Sequence, residues 1–118
     1  MSKTTQALVL KLLLTFVASW IAFGFIDENN LANIFVLAII GTILNYLLGD
    51  LFVLPKYGNL AASLGDGLLA ALTAYIYSMI TNFDISTASL ILFFALIAVG
   101  EYYFHKYLLG TEKVEPNE

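Results

Sequence analysis

Two carboxylates, Asp50 and Asp66, stand in apolar surroundings on either side of one short segment, Pro55-Lys56-Tyr57-Gly58-Asn59. Lys11 and Glu101 interrupt two further apolar runs, and Asn45 precedes Asp50 in the second. A charge near the centre of a hydrocarbon layer costs on the order of 3 kcal/mol on insertion scales. Such groups are tolerated where they pair with one another, carry a proton or hold a cation. Lys11, Asn45, Asp50, Asp66 and Glu101 are therefore the candidate intramembrane polar site. Their charges do not balance, because three carboxylates face one intramembrane ammonium. Either Lys56, His105 and Lys106 reach in, a carboxylate stays protonated, or a cation binds. His105 is four residues beyond Glu101, close enough on a helix to pair with it. A lone histidine without cysteine or a second histidine is a poor metal site, so His105 reads as an interfacial residue. Beyond Glu101 with His105 there is no nucleophile–base pair or metal cluster, and the sequence leads us to expect no catalytic residue, no metal, no cofactor and no enzyme activity.

The elements that position these residues follow from composition. Of 118 residues 60% are hydrophobic and only 12% charged, against roughly a quarter charged in ordinary soluble domains. The charges gather at the termini and in three short gaps, and the apolar runs between them have the roughly 20-residue length that crosses a bilayer core. The expectation is an all-α integral membrane four-helix bundle, a single domain over 1–118. Its spans are 6–26, 31–54, 60–80 and 86–109, followed by a short polar tail over 110–118. A net charge of −4 without clustered basic residues gives no reason to expect nucleic acid, and the absence of cysteine excludes disulfides and thiolate metal sites. Lys11 interrupts the first apolar run, so that run reads as an uncleaved first span and not as a secretory leader.

Small and polar residues recur at helical spacing on the faces expected to point inward. In the first span these are Thr4, Ala7, Lys11, Thr15, Ala18 and Ala22; in the third, Asn59, Ala62, Ser63, Asp66, Ala70, Thr73 and Tyr77. Small residues let helix backbones approach closely in lipid, so Lys11 and Asp66 are expected to face the bundle and to pair. Gly41, Asn45 and Gly49 form a shorter stripe of the same kind in the second span, where Tyr46 and Asp50 are expected to share a face. Pro55 is expected to stop that span. Asn29 or Asn30, Asn59, and Asp84 or Ser86 are the expected N-caps of the second, third and fourth. Trp20, Phe25 and the cluster Tyr102, Tyr103, Tyr107 read as interfacial aromatics.

All five cations of the chain are lysines, and four crossings place every one of them on the same side: Lys3, Lys11, Lys56, Lys106 and Lys113. The opposite gaps hold Asp27, Glu28 and Asp84. The positive-inside rule then predicts a multi-pass protein of the cell membrane with both termini cytoplasmic.

The run from Gly49 to Asp66, GDLFVLPKYGNLAASLGD, resembles the YndM-like family of small bacterial membrane proteins found in bacilli. The matching positions are Gly49-Asp50, Leu54-Pro55, Gly58-Asn59 and Asp66. The resemblance covers essentially the whole chain and implies four spans in a cytoplasmic membrane; it carries no assigned activity. The sequence thus favours a structural or interaction role in the lipid bilayer, as a homo-oligomer or docked to a larger membrane partner. A proton- or cation-coupled transporter or channel component is the alternative.

Overall fold

The computed structural model describes residues 2–110; Lys113 and, beyond Gly110, the expected polar tail lie outside them. Among the described residues the chain forms four long helices and no strand. Helix α1 covers residues 3–26, α-helical over Lys3–Ser19 and π-wound over Trp20–Ile26. Helix α2 is Leu31–Tyr57, with a π-wound middle, Asn45–Val53. Helices α3 and α4 are Asn59–Ile80 and Thr87–Gly110. Each contains an apolar stretch long enough to cross a bilayer, 20 to 27 residues. Each helix packs against its neighbours in sequence, and α4 closes the ring onto α1.

The helix ends follow local chemistry. Ser2 accepts the Thr5 amide at 3.0 Å, and Asn30 accepts the Asn33 amide at 2.8 Å. Ser86 and Ser89 cap α4 reciprocally, each hydroxyl accepting the other's backbone N–H, an arrangement related to the capping box. Pro55 does not stop α2. Its missing N–H falls in the first turn of Leu54–Tyr57, directly after the π-wound stretch, where the α-helical ladder is already interrupted. The chain turns three residues later at Gly58, whose φ of 89° is open to glycine at little steric cost. Asn59 is no side-chain cap of α3; its amide is used elsewhere.

The small and polar stripes turn inward. Ala7, Lys11, Thr15, Ala18 and Ala22 are buried on α1, and Asn59, Ala62, Ser63, Asp66, Ala70 and Tyr77 on α3, with Thr73 half-buried. Leu60, Leu64, Leu68 and Leu72 face outward on α3, as the lipid-facing side of a membrane helix must. Thr4 lies exposed at the end of its stripe. The interior divides along the bundle axis. One half is apolar and aromatic: Phe23 meets Phe83 and Phe93 edge-on, with ring centroids 5.2 and 4.9 Å apart. Ile34, Leu37, Tyr77 and Ile97 pack around them. The other half holds the ionisable residues.

Candidate functional site: a buried charge cluster

Every helix contributes to that second half. Lys11 comes from α1, Asp50 from α2, Asp66 from α3, and Glu101 and His105 from α4. Lys11, Asp50, Glu101 and His105 are fully buried, and Asp66 is 2% exposed. The Lys11 ammonium donates to both oxygens of Glu101 at 2.7 Å. It also reaches Asp50 Oδ2 at 3.1 Å and Oδ1 at 3.3 Å, and lies 4.9 Å from the centre of the Phe104 ring. So Lys11 faces the bundle, but its partners are Glu101 and Asp50, not Asp66. Asp66 turns instead to His105, whose Nε2 stands 3.0 Å from Asp66 Oδ2 and 2.9 Å from Asp50 Oδ1.

His105 is the residue that sequence reasoning placed at the interface, and it is instead at the centre. Its orientation is fixed by a chain of hydrogen bonds. Asn59 Nδ2 donates to the Tyr102 carbonyl at 2.9 Å, which turns Asn59 Oδ1 toward the ring. That oxygen lies 2.8 Å from His105 Nδ1 and also accepts from the Ser63 hydroxyl at 3.0 Å. An amide oxygen only accepts, so Nδ1 carries the hydrogen, and Nε2 is the nitrogen turned toward the carboxylates. The four residues then offer one ligand atom each, all within 4.8 Å of one another: Asp50, Asp66, Glu101 and His105. The signals that could have found His105 were its i+4 spacing from Glu101 and the inward Asn59–Ser63–Asp66 stripe.

Two local features of α2 shape the cluster. A side chain at Gly49 would collide with the Asp66 carboxylate, so the absence of a Cβ leaves the space that Asp66 occupies. The π winding of Asn45–Val53 pairs residues five apart. Asp50 therefore shares its buried face with Asn45, while Tyr46 is only half-buried. Neither amide atom of Asn45, a fully buried residue, has a hydrogen-bonding partner, nor does the buried hydroxyl of Thr42. Orphaned buried amides cost roughly 1–3 kcal/mol. Lys56 and Lys106 do not reach in: they lie exposed over the Phe52 and Tyr102 rings, 4.7 and 5.0 Å from the centroids.

The cluster thus gathers three carboxylates, one ammonium and one imidazole, closed off from the surface. An apolar groove of about 270 Å³ between α3 and α4 approaches it. Ser63 lies on the groove wall and its hydroxyl is 3.3 Å from His105 Nδ1.

Comparison with known proteins finds a related membrane protein. It is 30% identical over 105 residues to the uncharacterized membrane protein YndM of Bacillus subtilis (strain 168), covering 87% of this chain and 59% of that relative. The chain thus spans well under two thirds of the relative's length. No solved structure matches it. A family model matches residues 2–118, and with four apolar helices of membrane-spanning length the chain is a multi-pass membrane protein that belongs to the family described as protein of unknown function DUF2512.

Proposed function

We propose that the protein binds a cation at the buried cluster in the course of moving that cation across the bilayer, as a transporter or a component of one. The observation that supports this is the charge sum. Asp50, Asp66 and Glu101 converge with Lys11 as their one fixed cation, and ionisable groups inside a membrane bundle mark ion pathways by default. Five residues before Asp50 on α2, the buried Asn45 amide has no hydrogen-bonding partner. The protein acts without covalent chemistry and is not an enzyme. The apolar half, filled by Phe23, Phe83 and Phe93, closes the far side of a single copy. Passage therefore requires a rearrangement, a second copy or a larger membrane partner.

A structural or interaction role is the second reading, and the bidentate contact of Lys11 with Glu101 favours it. In both readings the protein lies in the cell membrane with both termini and the Lys56 turn cytoplasmic, because the lysines fall on one side. Reporter fusions at Asn30, Gly58 and Asn82 should read outside, inside, outside.

The test of transport is flux into liposomes loaded with a pH-sensitive dye and, separately, a dye for divalent cations. Native protein should conduct, and Asp66→Asn should abolish the signal. Equal signals from both, or none from the native protein, remove the transport reading.

A further inference from the structure

The same cluster has the donor set and the spacing of a particular class of site. We propose that it binds one divalent first-row transition-metal ion, with His105 Nε2, Asp50 Oδ1, Asp66 Oδ2 and Glu101 Oε1 as ligands. The inference rests on the cation-site reading above and names the cation class.

Spacing carries the first part. The three carboxylate oxygens lie 2.9, 3.0 and 3.6 Å from Nε2. A four-coordinate ion with bonds of about 2.0–2.1 Å separates its ligand atoms by about 3.3 Å. The separations from Nε2 bracket that value and the longest ligand–ligand separation is at most 4.8 Å, so a bound ion asks the carboxylates to shift to equalise them. The second part is the outer shell. Ligating histidines nearly always donate their other ring N–H to a fixed oxygen, and here Nδ1 donates to Asn59 Oδ1 at 2.8 Å. Asn59 is itself anchored on the Tyr102 carbonyl. Lys11 bonds Glu101 and Asp50 and so holds two ligating carboxylates in place from outside the cage.

Charge supplies the third part. A ligating imidazole is neutral, so a divalent ion and the Lys11 ammonium together offset the three carboxylates. The fourth part is Asn45. Its fully buried amide, without partners, lies on the α2 face that carries Gly49 and Asp50, where Gly49 abuts the Asp66 carboxylate. The imidazole separates this donor set from the all-oxygen sites suited to calcium and magnesium.

The experiment is calorimetric titration of the untagged protein in detergent with Zn²⁺, with Co²⁺ as an optical probe, and with Mg²⁺ and Ca²⁺ for comparison. One Zn²⁺ should bind per chain, at least tenfold more tightly than Mg²⁺ or Ca²⁺, and Co²⁺ should develop visible absorption from a low-symmetry nitrogen–oxygen site. His105→Gln should weaken Zn²⁺ binding by more than about 100-fold, since loss of even an outer-shell partner costs about 10–100-fold. Glu28→Gln, at the other end of the bundle, should leave it unchanged. Should His105→Gln fail to fold, the native protein still decides: Zn²⁺ and not Mg²⁺ should raise its melting temperature. Absence of Zn²⁺ binding, equal affinity for Ca²⁺, or undiminished binding in His105→Gln overturns the assignment. Failure to bind Zn²⁺ alongside Asp66-dependent proton flux removes the metal and keeps the cation site. Zn²⁺ binding without any flux keeps the metal and removes transport.

Discussion

The two ends of the bundle are held together in opposite ways. At one end Phe23, Phe83 and Phe93 interlock with Ile34, Leu37 and Ile97. There the gaps between helices are tied by hydrogen bonds. Asn29 donates to the carbonyls of Phe23 and Asp84 and accepts the Asp84 amide, and the Ser89 hydroxyl donates to Asp27. At the other end, between the same four helices, the interior is a cluster of charges. Lipid is as apolar as a leucine side chain, so apolar contacts in the bundle are favoured by packing and not by escape from water. The aromatic end gains from close fit and holds no charged side chain among its buried residues. The charged end takes on desolvation cost that packing alone would avoid. A bundle needing only cohesion could have repeated the aromatic solution at both ends, and this difference is what supports the function proposed for the charged end.

That contrast can be broken experimentally. Lys11→Met should have the largest effect, because it leaves Glu101 and Asp50 buried without their ammonium. Breaking one partner of a buried ion pair costs roughly 3–5 kcal/mol. Detergent melting should show the loss, and Glu101→Gln added to Lys11→Met should recover much of it. Losses that simply add would mean that the pair is not coupled.

Phe23→Ala should cost about 3 kcal/mol through the cavity it opens. Lys11 and Phe23 lie 12 residues apart on α1, about 17 Å along the helix, and share no partner. The two losses should therefore add to within about 0.5 kcal/mol. Ion binding and flux should survive Phe23→Ala wherever the protein remains folded. A strong loss of binding there would erase the distinction between the ends.

Asn29→Ala should have the smallest effect, about 1 kcal/mol, because its hydrogen bonds lie near the rim. Hydrogen exchange at the Asp84 amide, which Asn29 accepts at 2.8 Å, should rise, with amides of the Asn45–Val53 stretch unaffected.

The fold was legible because length and apolarity specify membrane helices almost alone, and the inward stripes on α1 and α3 were legible because small residues mark close contact. Partner choice was not. Lys11 meets Glu101 and Asp50 instead of Asp66 because side-chain reach and helix rotation, set by packing, decide among carboxylates at similar depth. The π winding in α2 is also invisible to a 3.6-residue template. It replaces Tyr46 with Asn45 as the companion of Asp50, and it carries the helix past Pro55. His105 was masked by its neighbours, since Tyr102, Tyr103 and Lys106 have the composition of an interfacial belt. Asn59, which looks like a cap, is committed to orienting that histidine.

The chain contains a single histidine, so its imidazole can be observed without assignment. The most direct test of a buried cluster built around it is ¹⁵N NMR of the histidine-labelled protein in detergent, native against Asp66→Asn. A buried cluster requires a hydrogen on Nδ1 protected from exchange with water, and an Nε2 resonance that shifts when the Asp66 carboxylate is replaced. An imidazole that exchanges freely with water and is indifferent to Asp66→Asn would return His105 to the membrane interface and contradict the cluster.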